Sequence, residues 1–338
     1  MEKKRFPGRR EFLKLTFGAM AALLVNACQP QKVVLPTLAP SPAFTVTPTP
    51  VPSATSTIIP TPALSATNTI TPPPAPTSQP VAISGTEKWQ INSKAVDQEY
   101  QIFIALPAGY NSSDKIYPVL YLLDANGSFV MATGIVRIMQ YAQEIPEFIM
   151  VGIGYPDEFS SQISNLRARD FIPTHVDPPS ALTPSDSFPA MSGGAANFLK
   201  FIREELKPVI DAKYRTDPAD AGLHGHSFGG LFSLYALLHH DGTFKRYMAS
   251  SASIWWDDRV IMQDEQDYAA KNSALVARVF MSAGMSEGFM VTDMQEMATK
   301  IESRNYPGLF LKTFVFDGET HISVIPAAFS KGLRSVYS

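Results

Sequence analysis

Three side-chain types that together cleave acyl groups occur here in a usable order along the chain. Gly225-His226-Ser227-Phe228-Gly229 has the spacing G-x-S-x-G, and Gly230 follows it. That spacing sets a serine on a sharp turn between a strand and a helix, because small residues two places either side let the backbone fold that tightly. Ala221-Gly222-Leu223-His224 supplies a short strand-like lead, and the apolar run Leu231 to Leu238 supplies a buried helix. Ser227 is therefore the candidate nucleophile, with Oγ raised above a sheet and a helix N-terminus behind it to favour developing negative charge.

Such a serine needs a base and an acid. When they follow in the order Ser, Asp/Glu, His, the base lies C-terminal to an acid beyond Ser227. The six histidines are His175, His224, His226, His239, His240 and His321. His239 and His240 end the helix after the serine, where they suit its C-terminus. His224 lies in the strand, and the geometry of the turn points His226 away from the reaction partner of Oγ. His321 remains. It follows Asp317-Gly318-Glu319-Thr320, a turn at a strand's C-terminal end, where open α/β sheets bind ligands. The acid belongs in the loop after the preceding strand, Ala283-Gly284-Met285-Ser286-Glu287-Gly288, which makes Glu287 the first choice. Asp293, inside the next helix, comes second, and Asp257 and Asp258 third.

An oxyanion hole requires two backbone N–H groups. Phe228, directly after the nucleophile, supplies one. Ala125 or Asn126, in the loop Asp124-Ala125-Asn126-Gly127, supplies the other.

The elements that must hold these groups alternate short β-type runs with amphipathic helical stretches from Trp89 onward. This predicts an α/β fold with a mostly parallel central sheet and helices on both faces. Strands are expected at Tyr100 to Leu106, Val119 to Leu123, Phe148 to Ile153, Arg246 to Ser250, Ala277 to Ser282 and Leu311 to Phe316. Helical spacing marks Ala195 to Lys213, where Pro208 should kink or split the helix, as well as Val291 to Ser303 and Val324 to Val336. The Pro- and Ser-rich segment Asp157 to Ser192 has a weaker pattern and is expected to cover the site as an insertion or lid.

Upstream, the composition changes. Of the 28 prolines, 14 fall between Pro30 and Pro80, where Lys32 is the only charge. Residues 28–81 therefore read as an extended Pro/Thr/Ser linker without a core, leaving residues 82–338 as the catalytic domain. Residues 1–27 hold Arg9-Arg10-Glu11-Phe12-Leu13-Lys14 and an apolar run, Leu15 to Val25, too short to span a bilayer. They resemble a twin-arginine signal peptide whose end, Leu24-Val25-Asn26-Ala27-Cys28, resembles a lipobox. Cys28, the one cysteine in the chain, is the candidate lipidation site, and two acyl chains would anchor the protein to the outer face of the membrane. Residues 1–27 carry a net +4, so without them the formal charge falls from −3 to −7, which gives no electrostatic reason to bind nucleic acid.

Tyr117-Pro118-Val119-Leu120-Tyr121-Leu122-Leu123-Asp124, Arg169-Asp170-Phe171-Ile172-Pro173-Thr174, Gly225 to Gly230, Ser253-Ile254-Trp255-Trp256 and Gly318-Glu319-Thr320-His321 together resemble the esterase family that includes esterase D, enterobactin-type siderophore esterases and some feruloyl esterases. The resemblance spans nearly all of residues 90–338. It implies an α/β-hydrolase fold, ester hydrolysis by Ser227, Glu287 and His321, and neither cofactor nor metal. It also implies that Arg169, Trp255 and Trp256 lie near the cleft for a small-molecule ester, aryl, acyl or siderophore in type, although Trp255 and Trp256, as an aromatic pair, also suit the core. Two other readings share the scaffold: acyl transfer to an alcohol, and a non-catalytic surface lipoprotein that binds a ligand.

Overall fold

Strand order follows from where apolar runs can be buried on both faces. In the computed structural model, which describes residues 81–156, 162–177, 191–239 and 242–338, one sheet carries the order β1-β2-β4-β3-β5-β6-β7-β8. Its strands are β1 (Thr86–Ser93), β2 (Gln98–Ala105), β3 (Tyr117–Leu122), β4 (Ile149–Gly154), β5 (Thr216–His226), β6 (Arg246–Ser250), β7 (Ala277–Gly284) and β8 (Leu309–Phe316). Pairing is parallel from β4 to β8; β1 and β2 join antiparallel at one edge. Every residue of β4 is buried, as a parallel strand covered on both faces requires. Pro118, which cannot donate to a ladder, sits where the β3–β5 register shifts between Tyr117 and Val119.

Alternation along the strands divides the core in two. Leu120 and Leu122 face one side, where α1 (Ala125–Tyr141) and α8 (Ile325–Tyr337) bring Phe129, Val136, Phe329 and Leu333. Val119 and Tyr121 face the other. There the covering helices are α2 (Ile163–Phe171), α3 (Ala195–Phe201), α4 (Lys207–Lys213), α5 (Phe228–Leu238), α6 (Trp256–Lys271) and α7 (Phe289–Ser303). The predicted split at Pro208 takes the form of a π-helical turn, Ile202–Leu206, between α3 and α4. The proline has no N–H to give a carbonyl four residues back, and the wider turn absorbs that loss.

The elements depart from the sequence reading in three places. β1 adds an edge strand ahead of Tyr100, and Ala125-Asn126-Gly127 begins a long helix instead of forming a loop. Within the expected lid, Ile163–Phe171 is a helix whose Ala168 and Phe171 are buried in the core. Residues 157–161 and 178–190 of that segment lie outside the described residues, as do the signal peptide, Cys28, the linker and His240. One compact unit runs from Ile83 to Ser338.

Candidate active site

Ser227 joins β5 to α5 with φ 61° and ψ −119°, a conformation that costs a non-glycine residue about 1–3 kcal/mol. Its backbone is held on three sides. Its N–H donates to Ser250 O at 3.0 Å, and its carbonyl accepts from Leu231 N at 3.0 Å and Ser253 N at 3.1 Å. A Cβ on Gly225 would fall 2.0 Å from Gly229 O, so the tightness of the turn excludes any side chain there. Oγ has Ser253 Oγ as a hydrogen-bonding neighbour, 3.5 Å away.

Two loops at the C-terminal ends of β7 and β8 bring in the candidate acid and base. Glu287 ends a 3-10 turn directly after β7, and its side chain is 1% exposed. Its Oε1 accepts from Gly284 N and Ser251 Oγ, both at 2.7 Å, and its Oε2 pairs with His321 Nδ1 at 2.9 Å. Three donors fix the carboxylate, and the carboxylate in turn fixes the imidazole with Nε2 left for other chemistry. Among the described residues no hydrogen bond joins Ser227 Oγ to His321; in free enzymes such contacts commonly tighten only with substrate bound.

His226 does not point away, as the turn geometry suggested. Its ring meets that of His321, with centroids 4.6 Å apart. Burial, reinforced by the nearby His321, His224 and Arg167, holds its pKa well below the usual range. His226 is therefore a neutral wall against the candidate base. His224, two strand positions deeper, packs edge-on against Phe329, and burial pushes its pKa down to about 3.

The second candidate oxyanion donor stands at the first turn of α1, where helix geometry leaves N–H groups without intrahelical acceptors. Asn126 pins this turn to the end of β4, its amide donating to Tyr155 O at 2.8 Å and accepting from Tyr155 N at 2.7 Å. A Cβ on Gly154 would fall 2.5 Å from Asn126 Oδ1, so only glycine lets the helix start come down onto the strand. Ala125 is 1% exposed beneath this turn, and half-buried Phe228 opens α5.

Arg169, Trp255 and Trp256 divide differently from the expectation. Arg169 forks onto Asp170 at 2.7 and 3.1 Å and reaches Gln98 Oε1 at 3.2 Å. Asp170 is buried and also accepts from Tyr100 and Tyr155 at 2.7 and 3.0 Å; burial raises its pKa against these bonds. Arg169 thus completes an internal polar cluster. Trp256 is 1% exposed with its indole N–H on Thr174 Oγ1 at 3.1 Å, so it is core. Trp255 is half-buried beside Phe228, ring centroids 6.1 Å apart, and can form a wall of the cleft. Of the alternative acids, Asp293 is buried 3.4 Å from Arg259 Nε, while Asp257 and Asp258 are exposed in a left-handed kink. Among the described residues the ion pair of His321 is with Glu287. One pair escaped sequence reasoning: Arg167 forks onto Asp124 at 2.5 and 2.9 Å, directly before the α1 turn.

Residues 93–307 match the family model described as Putative esterase. The chain is similar to the ferri-bacillibactin esterase BesA of Bacillus subtilis, 35% identical over 269 residues that cover 76% of this chain and 91% of the relative. It is also similar to the siderophore enterobactin esterase of Emericella nidulans, 33% identical over 64% of this chain and 75% of that one. Among solved structures, the BES protein from Bacillus cereus is 33% identical and superposes with a TM-score of 0.69 over 78% of this chain and 99% of its own.

Proposed function

This chain belongs to the Putative esterase family and is a carboxylic ester hydrolase, and on that premise we propose that it cleaves siderophore esters through an acyl-enzyme on Ser227. His321 Nε2 takes the proton from Oγ as the hydroxyl attacks the ester carbonyl. Glu287 holds the ring in the tautomer with Nδ1–H and stabilises the imidazolium that forms. The carbonyl oxygen, now negative, is met by the N–H of Phe228 and that of Ala125 or Asn126. His321 then protonates the departing alkoxide, and water repeats the sequence to release the acid and restore Ser227.

The observation that carries this reading is the 2.9 Å bond between His321 Nδ1 and a carboxylate that is otherwise saturated by two donors, on loops flanking a strained serine. The substrate class is supported by the names of the relatives and by the Trp255–Phe228 wall, which suits an aryl ring. We further propose export, with lipidation at Cys28 and the Pro-rich segment as tether between membrane and enzyme.

The test compares wild type and Ser227→Ala on a catecholate trilactone and on p-nitrophenyl acetate, butyrate and octanoate. Serine-dependent cleavage of the trilactone at a higher kcat/KM than of any p-nitrophenyl ester is the expected result. A trilactone left intact while the p-nitrophenyl esters are consumed would overturn the substrate class and leave the esterase.

A further inference from the structure

Asp124 is placed where an aspartate would ordinarily cap a helix. It immediately precedes α1, and aspartate at this position is among the strongest N-caps, accepting from the second or third N–H of the helix. Here its side chain makes no capping bond. Its backbone carbonyl takes Gly127 N and Ser128 N, both at 3.1 Å, while its carboxylate turns aside to Arg167. The residue adopts the left-handed conformation, φ 57° and ψ 36°, which aspartate tolerates better than most. The N–H of Asn126, the second of the helix, is thereby left uncapped beside that of Ala125, the first, and neither has an intrahelical acceptor.

The carboxylate lies close to the other half of the site as well. A Cβ built on Gly229 would stand 3.5 Å from Asp124 Oδ2, and Gly229 is the residue after Phe228. An unpaired negative charge between the two turns would oppose the charge that develops on a substrate oxygen there. The guanidinium contacts both carboxylate oxygens, and both side chains are only about a quarter exposed, at 22% and 25%, so solvent does little of that neutralising.

We propose that Arg167 is a positioning residue for the oxyanion hole: its fork keeps the Asp124 carboxylate off the α1 N–H donors and cancels its charge beside the site. The inference rests on the assignment of Ser227 as nucleophile and of these N–H groups as oxyanion donors. It separates the two arginines of Arg167-Ala168-Arg169, one serving the site and the other the internal Asp170 cluster.

The experiment measures kcat and KM for p-nitrophenyl butyrate, per active site titrated with a fluorophosphonate, in Arg167→Gln, Arg167→Lys, Asp124→Asn and the double variant Arg167→Gln/Asp124→Asn. Thermal melts accompany the kinetics. Losing the use of one oxyanion donor costs on the order of 10²-fold in kcat, so Arg167→Gln is expected to fall by about that factor with KM within about threefold. Arg167→Lys, which keeps the charge but not the fork, should fall between. The double variant has no stray carboxylate and should regain at least about tenfold over Arg167→Gln, a recovery set by the same donor. A double variant no faster than Arg167→Gln overturns the proposal. So does a loss confined to KM, which would mean that Arg167 binds a substrate anion. If Arg167→Gln does not fold, the comparison of Arg167→Lys with Arg167→Lys/Asp124→Asn decides in the same way. Ser227→Ala separates the two levels: if it keeps the wild-type rate, the nucleophile assignment and this proposal fall together. An inactive Ser227→Ala with an unrestored double variant sinks the role of Arg167 alone.

Discussion

Acidification should weaken this fold through His224 in a way that one substitution removes. The ring is 3% exposed, both nitrogens lack hydrogen-bond partners, and burial pushes its pKa down to about 3. In the unfolded chain the same imidazole titrates near 6.5. The neutral form is thus favoured by folding, and its full contribution is present above pH 6.5. That contribution is lost as pH falls from 6.5 toward 3, because the unfolded state takes up a proton that the folded state refuses. Between pH 7 and pH 5 the loss is about 2 kcal/mol, at about 1.4 kcal/mol per pH unit below 6.5. His224→Leu places an apolar group of similar bulk against Phe329 and removes two unmade hydrogen bonds, so it should cost nothing at pH 7. Urea unfolding of both proteins at pH 7 and pH 5 tests this, since the other titrating groups are common to both and cancel. The wild type should lose about 2 kcal/mol more than His224→Leu on going to pH 5. Equal losses would refute the argument that a buried neutral imidazole sits under the nucleophile turn.

The remaining predictions concern the site and its tether. Glu287→Gln keeps the shape of the acid but offers His321 Nδ1 an amide, which favours the wrong tautomer; kcat for p-nitrophenyl butyrate should drop on the order of 10⁴-fold with little change in KM. Trp255→Ala should raise KM for aryl esters more than for acetyl esters while leaving the melting temperature nearly unchanged. Trp256→Ala, by contrast, should destabilise by about 3–5 kcal/mol in urea titrations, because a fully buried indole is lost. In a cell that processes lipoproteins, the full chain should partition into the detergent phase, and Cys28→Ser should move it to the aqueous phase.

How much could be read beforehand depended on whether a feature is local in the chain. The sharp turn at Ser227 was legible because its steric demands fall on Gly225 and Gly230, within three residues of the serine. The pairing of Glu287 with His321 was legible from chain order and from their loops at strand ends, and the central strands from unbroken apolar runs such as Val119 to Leu123. The start of α1 was not, because Asp124-Ala125-Asn126-Gly127 carries turn chemistry and the helix is held instead by Phe129, Ala132 and Val136 packing beneath it. β1 alternates at an edge, half-buried, and offers no apolar run to notice. Choosing between Arg167 and Arg169 needed the fold, since positions two apart on a helix face nearly opposite ways. Trp255 and Trp256, adjacent on the chain, part for a similar reason, one left half-buried and one buried in the core. The His226–His321 contact spans 95 positions, and nothing in either local sequence announces it.

The central claim is that acyl chemistry passes through Ser227 with His321 as its base. The most direct measurement treats wild type and His321→Ala with a fluorophosphonate and maps the adduct by peptide mass spectrometry. One adduct is expected, on Ser227, with hydrolysis lost in step with labelling, and labelling slowed at least about a hundredfold in His321→Ala. An adduct on another residue, or hydrolysis that persists after Ser227 is fully labelled, would contradict it.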